Sequence, residues 1–202
     1  TLHAYANAAG VLARAHAGPH PKWWHISLNV TPSGLVTDPM PIPGGGRFWV
    51  RLDLVRHVAV VERSDGSSDG VSMTAGLTAT EFGDSLIKLV GDMGLSADYL
   101  RDRFESDEAR EYDPGHASDF FAAVVNIEHN LQLHRVSLGD DVGPIQIWPH
   151  GFDIAFEWFG AGGSQLNLGF YPAGRPYFYS NPWPFAEDLK LIPLPEPAAW
   201  HD

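Results

Sequence analysis

The sequence predicts an α+β fold, a single domain with two largely antiparallel β-meanders covered by about three helices. Three observations carry this. Apolar residues alternate with period two in two separate blocks, roughly residues 23 to 74 and 145 to 181. Apolar stripes at helical spacing occupy 2 to 17, 78 to 94 and 114 to 131. The helices lie before or between the strand blocks rather than between single strands, which argues against a βαβ repeat. The chain divides into a helix plus meander (1–75), a helical middle (76–135), and a second meander with a proline-rich tail (136–202).

In chain order, "LHAYANAAGVLARAHA" (2–17) is Ala-rich, with Leu2, Tyr5, Ala9, Leu12 and His16 on one stripe, and Gly18-Pro19 stops the helix. In "WWHISLNVT" the alternation puts Trp24, Ile26, Leu28 and Val30 on one side, and His25, Ser27, Asn29 and Thr31 on the other. This phase predicts Trp24 as core, with Trp23 and His25 as site residues. Trp24→Ala would then cost about 3 to 5 kcal/mol, while His25→Ala would stay folded. In the next strand Phe48, Val50 and Leu52 alternate with Trp49, Arg51 and Asp53. "TATE" (78–81) is a capping box opening a helix, and Asp113-Pro114 supply an N-cap and a first-turn proline for the longest helix. The charged stretch 97–112 reads as an exposed helical turn or loop. "IQIW", "FDIAFEWF", "LNLGFYP" and "YFYSN" read as strands, and the tail from Pro182 as an extended surface segment.

Composition excludes several function classes. The chain has 202 residues, 44% hydrophobic and 19% charged, which is too apolar for a disordered protein and enough for a sizeable core. A net charge of −12 with no Lys/Arg run speaks against nucleic acid and anionic membranes as partners. With no cysteine, disulfides, thiolate metal sites and a Cys nucleophile are excluded. No apolar stretch reaches the ~18 residues of a membrane span, and no signal-peptide core is visible, so a cytoplasmic location is expected. Thr1 in place of a methionine leaves a trimmed start open.

No GxGxxG, Walker lysine loop, HExxH, GxSxG or EF-hand loop is present, so no nucleotide cofactor is implied. His129 and His134 are five apart on a helix, which turns the second ring about 140° from the first and keeps them from sharing an ion. What remains is the polar phase of the two meanders: His25, Asn29, Trp49, Arg51 and Asp53 from the first, and Trp148, His150, Asp153, Glu157 and Asn167 from the second. A face rich in His, Asn, Asp, Arg and Trp carries directional chemistry that a merely solvated face does not need.

On that reading His25, His150, Asp153 and Glu157 are the candidate catalytic residues. A histidine near a carboxylate is suited to general acid–base work at neutral pH. Trp23, Asn29, Trp49, Arg51, Asp53, Trp148 and Asn167 are the candidate ligand contacts. A divalent metal is the alternative, held by His25, His150 and Asp153 with water in the fourth position. Two function classes stay open: an enzyme acting on a small polar molecule, and a non-catalytic module whose aromatics stack on a planar or sugar-like ligand. A third, a protein-interaction domain or homo-oligomer, predicts a large exposed apolar patch.

The runs "TLHAYANAAGVLARAHAGPHPKWWHISLNVTPSGLVT", "FWVRLDLVRHVAVVERSDG", "EYDPGHASDFF", "GPIQIWPHGFDIAFEWF" and "GFYPAG" resemble, in order, a bacterial family of uncharacterised proteins, the domain of unknown function 5996. The likeness covers nearly the whole chain, with the "WWH" and "YDP" elements among its more specific parts. It implies one full-length domain and supplies no catalytic residues. Lys22, Ala109 and "IWPHGFD" depart from the family pattern, which implies a site either lost or rebuilt in this chain, with His150 as the replacement histidine in the second case.

Overall fold

In the computed structural model, which describes residues 1–201, the strands of both blocks belong to one antiparallel sheet of ten. The chain runs α1 (Leu2–His16), a 3₁₀ turn (Trp24–Ile26), then β1 (Leu28–Thr31), β2 (Gly34–Thr37), β3 (Met40–Pro41), β4 (Arg47–Asp53), β5 (Val58–Arg63) and β6 (Ser68–Ser72). Two helices follow, α2 (Ala79–Gly91) and α3 (Pro114–Ser137). The second block is β7 (Gln146–Trp148), β8 (Asp153–Phe159), β9 (Gln165–Tyr171) and β10 (Tyr177–Trp183). The spatial order is β10-β9-β8-β7-β1-β2-β4-β5-β6, with β3 paired to β4. The two predicted meanders are therefore two halves of one sheet, joined where Leu28 of β1 faces Ile147 of β7.

The period-two pattern decides which face the helices cover. Leu28, Leu35, Phe48, Val50, Leu52, Ile147, Ile154 and Phe156 share one phase and are buried with Tyr5 and Leu12 of α1, Phe82 and Leu86 of α2, and Val124 and Leu131 of α3. The opposite phase forms a face without helices. α1 is buried over more of its circumference than the predicted stripe, taking in Ala6, Ala8, Val11 and Ala13, because it lies against α2 as well as the sheet. Only small side chains allow that approach, and Gly10 meets the ring of Pro149 in the β7–β8 turn.

The helix boundaries follow the caps. Thr78 and Glu81 make both bonds of the capping box, Thr78 Oγ1 accepting from the Glu81 amide at 3.0 Å and Glu81 Oε2 from the Thr78 amide at 2.9 Å. The Asp113 carboxylate accepts from the His116 amide at 2.8 Å and starts α3. No helix among the described residues is long and apolar enough to cross a membrane.

The structure corrects three expectations. The strand predicted from Trp23 begins only at Leu28: Trp23 is in the left-handed region (φ 62°) and Trp24–Ile26 form a 3₁₀ turn. Three residues per turn breaks the two-residue phase, so the facing assigned to Trp23, Trp24 and His25 does not hold. The charged stretch 97–112 does hold a helical turn, Arg101–Arg103, but it is only partly exposed, since Phe104 and Tyr112 are buried in the core. The proline-rich tail begins as structure: β10 continues through Pro182 to Trp183, and Glu187–Leu191 form another 3₁₀ turn.

Two glycines of α2 separate packing from propensity. A Cβ on Gly83 would lie within 2.7 Å of three carbons of the Phe104 ring, whereas one on Gly91 would meet nothing within 4 Å. Gly83→Ala should lose about 1 to 3 kcal/mol by urea unfolding, overpacking outweighing the better helix former. Gly91→Ala should gain up to about 1 kcal/mol in the same measurement.

Candidate functional site

The helix-free face carries most of the polar residues singled out in the sequence, and its two halves differ in how their groups are satisfied. In the first half the Arg51 guanidinium donates to both Glu62 oxygens, through Nε at 3.2 and 3.1 Å and Nη2 at 3.0 Å, and to Thr31 Oγ1 at 2.9 Å. The Trp49 indole donates to the same Glu62 carboxylate. Asn29 donates to Asp38 at 2.9 Å. Asp53 accepts from the amides of Val55 and Arg56 and from the Arg56 guanidinium. Burial pushes its carboxyl up, but those Arg56 and Val55 donors outweigh burial and hold it below the ordinary carboxylate value. Arg51 is thus paired with Glu62 rather than with Asp53, Asp153 or Glu157. This half is a closed ion-pair and hydrogen-bond network, and Asp53 is a turn-forming carboxylate.

The second half is different. Cross-strand register lines up Trp148 with Asp153, and Glu157 with Asn167. Asp153 accepts from the Tyr179 hydroxyl, a residue absent from the predicted set. Burial first, and then the Asp153 charge, push that phenol well above its usual range. Gln165 donates to Asn167 at 3.1 Å. Glu157, only 7% exposed, accepts a single side-chain bond, from Trp24 Nε1 to Oε1 at 3.2 Å. Its Oε2 is buried with no partner among the described residues, and the same holds for Oε1 of Gln146, a residue 3% exposed on the neighbouring strand.

Local backbone explains how a carboxylate comes to be buried there. Val142 bridges Trp158, while Gln146 faces Ala155, so residues 143–145 oppose only Phe156 and Glu157. That extra residue is a β-bulge, a device that re-aims neighbouring side chains. At the bulge, Gly143 donates its amide to the Glu157 carbonyl at 2.7 Å, and its own carbonyl accepts from Arg135 of α3 at 2.6 Å. A Cβ on Gly143 would lie 2.5 Å from Glu157 Oε2 and 3.1 Å from Trp24 Cζ2. The missing side chain makes the room that the carboxyl and the indole share. Burial raises the proton affinity of Glu157; the Trp24 bond, its own backbone amide and then the charges of Lys22 and His20 oppose this without reversing it. Around it, His20 stacks on Trp24 at 4.4 Å and Lys22 Nζ stands 4.3 Å from the centroid of Phe159.

The two predicted histidines stand elsewhere. His25 is 8% exposed, leans on Trp23 at 5.6 Å, and its Nδ1 accepts from the His20 amide at 3.1 Å. Burial, then His20 and Arg14, lower its proton affinity, so the ring is neutral at pH 7 with the proton on Nε2. His150 is exposed in the β7–β8 turn, edge-on to Trp148. Trp23 is half exposed under the Arg14 guanidinium at 4.8 Å. Among the described residues no group of three His, Asp or Glu is placed to hold a metal, so His25, His150 and Asp153 are not gathered as a ligand set. Trp24, expected in the core, is the residue that reaches Glu157, and Gln146 joins it. The alternation of "IQIW" placed Gln146 on this face, and Pro19 and Pro21 signalled that no regular ladder precedes Trp24.

A separate cleft of about 380 Å³ opens beside the starts of α1 and α3 and the β7–β8 turn, lined by His3, Tyr112, His116, Phe120 and Phe152 among others. Phe152, in the left-handed region at φ 56°, is stacked between His3 and Phe120. Its lining comes from four separated segments, 1–3, 111–120, 151–152 and 172–173, so no local pattern signals it.

Glu157 has a defined effect on stability against pH. Its folded-state proton affinity is raised, so its stabilising contribution is complete below its unfolded value and is lost as pH rises through the folded value. Glu157→Gln should therefore raise stability near pH 7 to 8 by about 1 to 3 kcal/mol, because the amide carries no charge to be desolvated. That gain should shrink toward zero on acidification, read from urea unfolding at a series of pH values.

The chain matches the model of a family of unknown function, DUF5996, over residues 1–167. No curated protein and no solved structure matches it. The match takes in Trp24, Gln146, Glu157 and Asn167 and most of the chain, in keeping with the "WWH" and "YDP" elements. The chain belongs to the family of unknown function DUF5996.

Proposed function

We propose that this protein binds a small polar molecule on the second half of the helix-free sheet face, with Glu157 as the group that grips it. The observation that supports this is the unpartnered Oε2 of a carboxyl that is 7% exposed. Native proteins pair buried polar atoms, and an exception at a bulge beside an aromatic ring is expected where function opposes stability. Trp24 and Phe159 supply apolar walls, and Gln146, Asn167 and Gln165 supply orienting polar groups from β7 and β9. The Trp24 indole and the Gly143 backbone lie against the carboxyl, so the ligand enters by displacement of the turn that carries Trp24.

A catalytic use of the site is the second reading. It is favoured by the raised proton affinity of Glu157, which suits a carboxyl to donate and recover a proton near neutral pH. The His/carboxylate pairing anticipated from His25 or His150 is not part of it. Asp153, held by Tyr179, is a positioning group on the same face.

A fragment screen of small polar molecules, followed by the Trp24 indole N–H resonance assigned through Trp24→Phe, tests the proposal. Hits that shift this resonance in the wild type and vanish in Glu157→Gln are expected. Identical hit sets for the two proteins would sink it.

A further inference from the structure

We infer that the ligand of the Glu157 site is a small organic cation of the amidinium or guanidinium type, presenting two N–H donors to Glu157 Oε2 and Gln146 Oε1. This rests on the proposed function and names the chemistry of its ligand. Three observations carry it.

The first is the polarity of what is unsatisfied. Both unpartnered side-chain atoms in this part of the face are acceptors. For Gln146 the assignment of the free atom follows from chemistry: the other end of its amide points at the Trp24 carbonyl 3.5 Å away, and a carbonyl oxygen can face only the NH₂ group. The ligand must therefore donate at two points.

The second is their placement. Gln146 faces Ala155, two residues before Glu157 on the adjacent strand, so the two side chains are diagonal neighbours on one face. Diagonal positions stand about 7 to 8 Å apart at the backbone, within reach of long side chains that converge. A planar N–C–N group is a compact pair of donors that can span two converging oxygens.

The third is the setting. The buried carboxyl meets the edge of the Trp24 indole through its N–H, and a cation already stands on an aromatic ring close by: Lys22 on Phe159 at 4.3 Å. A delocalised, weakly hydrated cation is the kind that enters such a place at least desolvation cost. Lys22 is the positive group beside Glu157, with the His20 imidazole next to it. Lys22 is exposed at its rim and reaches outward to Gln165 Oε1 at 3.5 Å, so its charge can withdraw when a cation binds. The net charge of −12 favours the encounter.

The test uses acetamidine and methylguanidine as probes, with acetamide and urea as neutral isosteres and acetate as an anion, at matched ionic strength. Chemical shift of the Trp24 indole N–H is followed in the wild type, Glu157→Gln and Gln146→Leu, each checked for folding by thermal unfolding. Saturable binding of the cations, roughly tenfold tighter than their neutral isosteres, is expected. That binding should be lost in Glu157→Gln and weakened in Gln146→Leu. Equal binding of acetamide and acetamidine, still dependent on Glu157, would overturn the cation and leave the site standing. Acetate binding would overturn it in the same way. Absence of saturation by any probe, alongside Glu157-dependent hits in the fragment screen, overturns this ligand class alone. Absence of both overturns the site as well and leaves Glu157 and Gln146 as groups served only by water.

Discussion

The pairing of β1 with β7, at Leu28 and Ile147, is the constraint on which the remaining architecture depends. It is a short contact between strands more than a hundred residues apart, and it turns two local meanders into one sheet. Both residues are fully buried under the helix layer, so the junction is held by core packing as much as by its ladder. α3 contacts both β1 and β8 and so spans the join from the helix side. Because β1 lies beside β7, the turn that feeds β1 is delivered next to β8, and Trp24 meets Glu157 across 133 residues of sequence.

The helix-free face shows two ways of handling buried polarity. Around Arg51 and Glu62 every strong donor has an acceptor, and a planar guanidinium with a bidentate partner gives a rigid, self-contained network. Around Glu157 the acceptors outnumber the donors. A bulge, a glycine and an aromatic ring together hold a carboxyl where its second oxygen has no partner. Low dielectric surroundings make such a group costly and, for the same reason, strongly responsive to a donor that reaches it. Arg135 of α3, bonded to the Gly143 carbonyl, links this arrangement to the longest helix.

Much of the face was legible from periodicity. Asp153, Glu157 and Asn167 lie on one side of the sheet as their alternation required, and Trp49, Arg51 and Asp53 do likewise, because a strand's side-chain period is a property of the backbone. Partnership was not legible. Arg51 chose Glu62, on a strand whose register depends on the turn at 54–57, and Asp53 chose Arg56 three residues on. His25 and Trp24 exchanged roles because a single 3₁₀ turn, preceded by Trp23 in the left-handed region, shifts the phase by an amount that alternation cannot anticipate.

By itself the sequence determined the α+β class, the three helices with the N-caps of the second and third, and the phase of the longer strands. Each of these is decided within a few residues by hydrogen-bond geometry, capping chemistry or side-chain periodicity. Only the tertiary structure decided that the meanders form one sheet, which ion pairs close, and that Trp24, Gln146 and Glu157 come together around Gly143. Those outcomes depend on contacts between segments far apart in the chain. Their selection rests on the packing of the whole core rather than on any local preference.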